Sequence, residues 1–141
     1  MLKKLETVLY TAQTHTTGGR EGHGKSSDGA LDVRLSPPGS GRPGTNPEQL
    51  FAIGWSACFI GALGKAGVKH RITLPQGLAV DADVSLGKTE GGAEFALAAQ
   101  LRITLPGLDA QQKRLLVETA HQTCPYSNAT RGNIEVKFDI V

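Results

Sequence analysis

Cysteine is scarce in this 141-residue sequence, which has only Cys58 and Cys124. There is no Cys-x-x-Cys pair, and His121 three residues before Cys124 has no matching second pair elsewhere. The four tightly spaced ligands of a structural zinc site are therefore missing, and no metal or bound cofactor is expected. No Gly-x-Ser-x-Gly elbow is present, so the sequence offers no serine-hydrolase nucleophile. Charge of one sign is also lacking: 15 Lys and Arg against 13 Asp and Glu give a net charge of only +2. That balance excludes the basic footprint of a nucleic-acid-binding domain. The opening Met-Leu-Lys-Lys-Leu-Glu-Thr has no apolar run behind its lysines, so no signal peptide is expected. A cytoplasmic location with reduced resting thiols follows as the expectation, which argues against a structural disulfide. The uncharged stretch from Leu50 to Gly64 is shorter than the ~20 apolar residues that cross a bilayer, and it is read as a core helix with no membrane role.

What the sequence does have is a mixed pattern of strands and helices, enough for one domain over residues 1–141. Residues 5–13 are rich in β-branched and aromatic side chains and predict a first strand. A glycine-rich loop is expected from Thr17 to Lys25, and Ser27-Asp28-Gly29 signals a turn. Leu31, Val33 and Leu35 alternate with Asp32 and Arg34 in a half-buried strand. Asn46-Pro47-Glu48-Gln49 is a helix start, with a capping residue, proline at the first helical position and glutamine where a capping box closes. The helix is expected to run to about Ala66 and is apolar nearly all round, so one face calls for a partner subunit. Strands are expected over residues 78–86 and 95–105 with a hairpin loop between them. A helix capped by Asp109 should follow over residues 110–123, and a last alternating strand carries Ile134, Val136, Phe138 and Ile140. The order β-β-α-β-β-α-β is an α+β pattern and not a doubly wound sheet.

Residues Gly19 to Ser26 match the Walker A form Gly-x-x-x-x-Gly-Lys-Ser, the alternative reading being a nucleotide-binding module. That chemistry needs a helix to open directly after the loop, so that its N-terminus cradles phosphate. Here a turn and a period-2 strand follow. The two cysteines sit in contrasting settings: Cys58 in the most apolar stretch of the chain, Cys124 in the polar, turn-like His121-Gln122-Thr123-Cys124-Pro125. A dry thiol paired with one on a segment that can move is the layout of a reactive and a resolving cysteine. Buried thiols without chemistry also fit these residues. A thiolate needs a nearby cation, arginine cannot lose its charge, and a carboxylate can hold such an arginine with paired hydrogen bonds. Arg20 in the glycine-rich loop and Glu48 in the first helical turn have the side chains for those two roles.

Several blocks resemble the organic hydroperoxide resistance protein (Ohr) family, within the osmotically inducible protein C (OsmC) superfamily. They are Thr17-Gly18-Gly19-Arg20, Ser27-Asp28-Gly29, Gly44 to Phe51, Ser56-Ala57-Cys58-Phe59 and Cys124 to Asn133, and the likeness covers almost the whole chain. The resemblance implies a thiol-dependent peroxidase of alkyl or lipid hydroperoxides, with Cys58 as peroxidatic and Cys124 as resolving cysteine, joined in a disulfide during turnover. It implies that Arg20 and Glu48 activate the thiolate. It also implies an intertwined homodimer, with mostly antiparallel sheets around a central buried helix from each subunit, recycled by a lipoyl-type dithiol or a lipoylated protein. Phe51, Trp55 and Phe59 are expected to make an apolar substrate pocket. Trp55 stands where the family often has tyrosine, and Arg42 and Pro43 interrupt a usually more glycine-rich loop.

Overall fold

The computed structural model describes residues 2–141, and the chain divides into two compact units, residues 1–47 and 48–141. The first unit holds strands β1 (Thr14–Thr17), β2 (His23–Ser26) and β3 (Asp32–Arg34) in an antiparallel sheet of that order. The strand expected over residues 5–13 does not form. Those residues lack strand pairing, and Val8, Leu9 and Tyr10 are exposed. The first ladder begins only where a partner exists, at Thr14 opposite Ser26. β-branched composition alone does not make a strand, and backbone pairing is recorded only from the end of this stretch, where the Ser27 N–H donates to the Gln13 carbonyl at 2.9 Å.

The glycine-rich stretch is not one long loop. β1 ends at Thr17, a 3-10 turn spans Gly19–Glu21, and β2 starts at His23. Gly22 is forced by space: a Cβ there would come within 1.8 Å of the Thr17 carbonyl oxygen. Lys25 and Ser26 therefore lie in an extended strand. The Ser26 hydroxyl donates to Asp28, whose carboxylate also accepts from the Ala30 N–H, and the chain turns back into β3. No helix N-terminus follows the Walker-like residues, so the phosphate-binding geometry is not built.

The second unit is organised by α1 (Pro47–His70), β4 (Ala79–Lys88), β5 (Phe95–Thr104), α2 (Ala110–Thr123), α3 (Pro125–Thr130) and β6 (Glu135–Ile140). β4 and β5 form the expected antiparallel hairpin, with Ala82 opposite Leu101. β6 lies on the other side of β5 and runs parallel to it, with Leu101 opposite Phe138. That pairing follows from the connection, because a parallel neighbour needs a long crossover and α2 with α3 supplies it. α2 starts as expected: Asp109 accepts from the Gln112 N–H at 2.8 Å, and the Gln112 side chain accepts from the Asp109 N–H at 3.2 Å. The expected order thus loses the strand over residues 5–13 and gains three elements, β1 and β2 in and beside the glycine-rich stretch and the short α3.

α1 runs four residues past the expected end at Ala66. It is closed by a left-handed Arg71 at φ 55°. The N–H of Ile72 reaches back to the Gly67 carbonyl at 2.9 Å, and that of Arg71 to Val68 at 3.3 Å. This is a Schellman stop, usually signalled by glycine at the left-handed position. With arginine there, the sequence hides the end. At 24 residues α1 is long and apolar enough, on length and composition alone, to cross a bilayer. Its Trp55, Phe59, Leu63 and Ala66 face is buried among Leu101, Ile103 and Leu116, so it is a core helix.

Candidate active site

Cys58 lies in the middle of α1, and Cys124 sits at the corner where α2 gives way to α3. Cys124 closes one helix and opens the next. Its N–H donates to the Ala120 carbonyl at 2.8 Å, and its own carbonyl accepts from the Asn128 N–H at 2.9 Å. Pro125 makes the second helix start at that point, since its fixed φ suits the first helical position and its missing N–H costs nothing there. The corner is pinned from outside by Arg131, whose guanidinium donates to the His121 carbonyl and, at 2.8 Å, to Asn128 Oδ1.

Both cysteines are free thiols. Their exposure is the reverse of the sequence expectation. Cys124 has no exposed surface and belongs to the hydrophobic core, while Cys58 is only half-buried and packs against that core. The reason is geometric. A polar sequence around Cys124 describes the outside of a helix corner, whereas the residue at its apex points inward. The apolar sequence around Cys58 belongs to a helix with a second, uncovered side, on which Ile53 and Val68 are 71% and 82% exposed.

The Cys124 thiol and the Tyr126 backbone N–H both lie close enough to Cys58 to act on its ionisation. Burial, the main influence, pushes the Cys58 thiol above its usual value, and the second thiol pushes the same way. The Tyr126 N–H and the Lys65 ammonium pull it down without reversing the balance. The wall of the site is aromatic. Phe51 lies 5.6 Å from Trp55 and 5.7 Å from Tyr126, centroid to centroid.

Of the residues singled out from sequence, Cys58 and Cys124 are brought together. Phe51 is half-buried against Tyr126 and Trp55, and Trp55 has no exposed surface. Phe59 is also fully buried and stacks on Phe138 at 5.4 Å, as part of the core. Glu48 is in the first turn of α1, ten residues before Cys58 and so ~15 Å away along the helix axis. Arg20 belongs to the first unit, in its 3-10 turn.

Three contributors escaped the sequence reading. Lys65 is seven residues after Cys58, two turns along one helix face, a spacing that could have found it. Tyr126 follows a Cys-Pro pair, and its N–H falls among the first helical amides that have no partner within their own helix. Gly54 is four residues before Cys58 and therefore on the same side of α1.

His121 borders the corner with its ring edge-on to Phe138 at 4.7 Å. Burial first, and the Arg131 charge second, hold its pKa below the usual histidine value of 6.5. A histidine depressed in the folded state contributes stability that is complete above the unfolded value and is lost as pH falls through 6.5 toward the folded one. The melting temperature is therefore expected to fall between pH 7 and 5, and His121→Gln should flatten that slope, measured by calorimetry at closely spaced pH values.

Residues 38–139 match the family described as OsmC-like protein. The organic hydroperoxide resistance protein of Xanthomonas axonopodis pv. citri is 52% identical over 139 residues, which covers 96% of both chains. The crystal structure of the organic hydroperoxide resistance protein OhrB of Bacillus subtilis superposes with a TM-score of 0.89 at 41% identity, over 95% of this chain and 100% of that one. An organic hydroperoxide resistance protein from Elizabethkingia anophelis, solved with crystallant-derived thiocyanate bound, gives a TM-score of 0.85 at 44% identity, over 96% of this chain and 98% of that one.

Proposed function

The chain belongs to the OsmC-like family, among its organic hydroperoxide resistance proteins, and from that membership we propose that it is a cysteine-based peroxidase of organic hydroperoxides. The observation that carries the reading is the contact between the half-buried Cys58 thiol and the fully buried Cys124 thiol. The Cys58 thiolate attacks the terminal peroxide oxygen. The O–O bond breaks, the alcohol leaves with one proton, and the sulfur, two electrons poorer, becomes a sulfenic acid. Cys124 then attacks that sulfur, giving up its proton. The hydroxyl departs as water and a Cys58–Cys124 disulfide remains. An external dithiol of lipoyl type, free or on a lipoylated protein, restores both thiols by exchange. No bound cofactor takes part in this scheme. The aromatic wall of Phe51, with Trp55 behind it, favours alkyl or lipid hydroperoxides, and Phe59, buried against Phe138, adds to the apolar surroundings.

Burial leaves Cys58 a poor nucleophile at neutral pH unless a cation outweighs it. Arg20 is proposed for that part, with Glu48 orienting it. The axial separation of Glu48 from Cys58 favours a homodimer in which one subunit's Glu48 serves its partner's Cys58, with both units of each chain forming one peroxidase domain. The exposed apolar side of α1 and the exposed Val8-Leu9-Tyr10 segment are the surfaces such a dimer would cover. The proposed setting is the cytoplasm, where a dithiol pool keeps both cysteines reduced.

With cumene hydroperoxide and dihydrolipoamide, Cys58→Ser is expected to lose turnover entirely. Cys124→Ser should consume one equivalent of peroxide per chain and then stall. Full multi-turnover activity in Cys124→Ser would remove the resolving role. Arg20→Ala is expected to move the midpoint of Cys58 alkylation against pH upward and to slow peroxide reduction. An unchanged alkylation curve would take Arg20 out of the site.

A further inference from the structure

Helix α1 carries four glycines, at positions 54, 61, 64 and 67. Each costs a helix interior about 1 kcal/mol against alanine, so each needs a reason or is mere tolerance. Gly61 and Gly64 have open space where a Cβ would stand. At Gly67 the space is taken by the turn that ends the helix, the Ile72 carbonyl oxygen at 2.8 Å. At Gly54 it is taken by something different, the phenol of Tyr126: a Cβ would lie 2.7 Å from its oxygen and 3.3 Å from the ring carbon bearing it. The same tyrosine packs its ring on Phe51, and its backbone N–H lies close enough to the Cys58 thiol to favour the ionised form. One side chain laid across α1 a turn before Cys58 thus anchors the amide that reaches the sulfur, and carries with it the corner that holds Cys124.

We propose that Tyr126 is a positioning residue for the reactive thiol, and that Gly54 is the socket that seats its phenol so that the Tyr126 N–H meets the Cys58 sulfur. The phenol hydroxyl does no chemistry in this scheme; its place on the helix is what counts. The proposal deepens the peroxidase reading, since it takes Cys58 as the reactive thiol. Its test needs no peroxide, so the two can fail separately.

The test is the pH profile of Cys58 alkylation by iodoacetamide, followed by mass spectrometry of the Cys58 peptide. A Cys124→Ala background removes the second thiol's own influence. Gly54→Ala should move the midpoint upward by about one unit, the scale of a lost hydrogen bond to a charged group. Tyr126→Phe should leave it in place, because ring and amide remain. Gly54→Ala with Tyr126→Phe should return it most of the way, because the 2.7 Å clash is gone and the ring can settle. Tyr126→Ala adds no clash and frees the amide, so it should repeat the upward shift. It keeps the question decidable if Gly54→Ala alone does not fold. The proposal is overturned if neither Gly54→Ala nor Tyr126→Ala moves the midpoint. It is equally overturned if Tyr126→Phe shifts it as far as Tyr126→Ala, or if the double variant shows no recovery.

Discussion

The burial of Cys124 at the corner between α2 and α3, against the side of α1 that carries Cys58, is the constraint around which the second unit is arranged. A buried corner has unsatisfied backbone groups at the end of one helix and the start of the next. Here the Cys124 N–H donates to the Ala120 carbonyl, the Cys124 carbonyl accepts from the Asn128 N–H, and Pro125 brings no N–H that would need a partner. Arg131 holds the outside of the corner through the His121 carbonyl and Asn128. Loosening any of these would expose a thiol that now has no contact with water.

The same packing sets a chemical conflict. Packing that brings two sulfurs together also withdraws them from water, and burial raises the pKa of Cys58, the thiol that ionises first in the proposed mechanism. Within the second unit the opposing influences are a backbone amide and a lysine two turns away. Neither reverses the effect of burial. A guanidinium keeps its charge in any surroundings, and that is the physical ground for proposing Arg20 as the cation that offsets the burial. It also explains why an amide held in place by a side-chain socket matters, since each donor aimed at the sulfur offsets part of the cost of burying it.

Much of this was legible in the sequence. Alternation placed β3, β4, β5 and β6 to within a few residues, and the Asp109 cap fixed the start of α2. Failures came where a neighbour, and not the local sequence, decides. Residues 5–13 have strand composition but no strand to pair with. Arg71 adopts a left-handed turn where glycine would have announced the helix end. The polarity around Cys124 describes the surface of a corner whose apex is buried, so the exposures of the two cysteines are the reverse of what the local sequence suggests. Gly54 has a reason that appears only when Tyr126, far along the chain, is seen lying on it.

The direct measurement is intact-mass and peptide analysis of the reduced protein after one equivalent of cumene hydroperoxide. The account predicts a loss of two hydrogens, with a single cross-linked species joining the Cys58 and Cys124 peptides and one equivalent of cumyl alcohol released. Unchanged thiols, or a sulfinic acid at Cys58 with Cys124 still reduced, would contradict it.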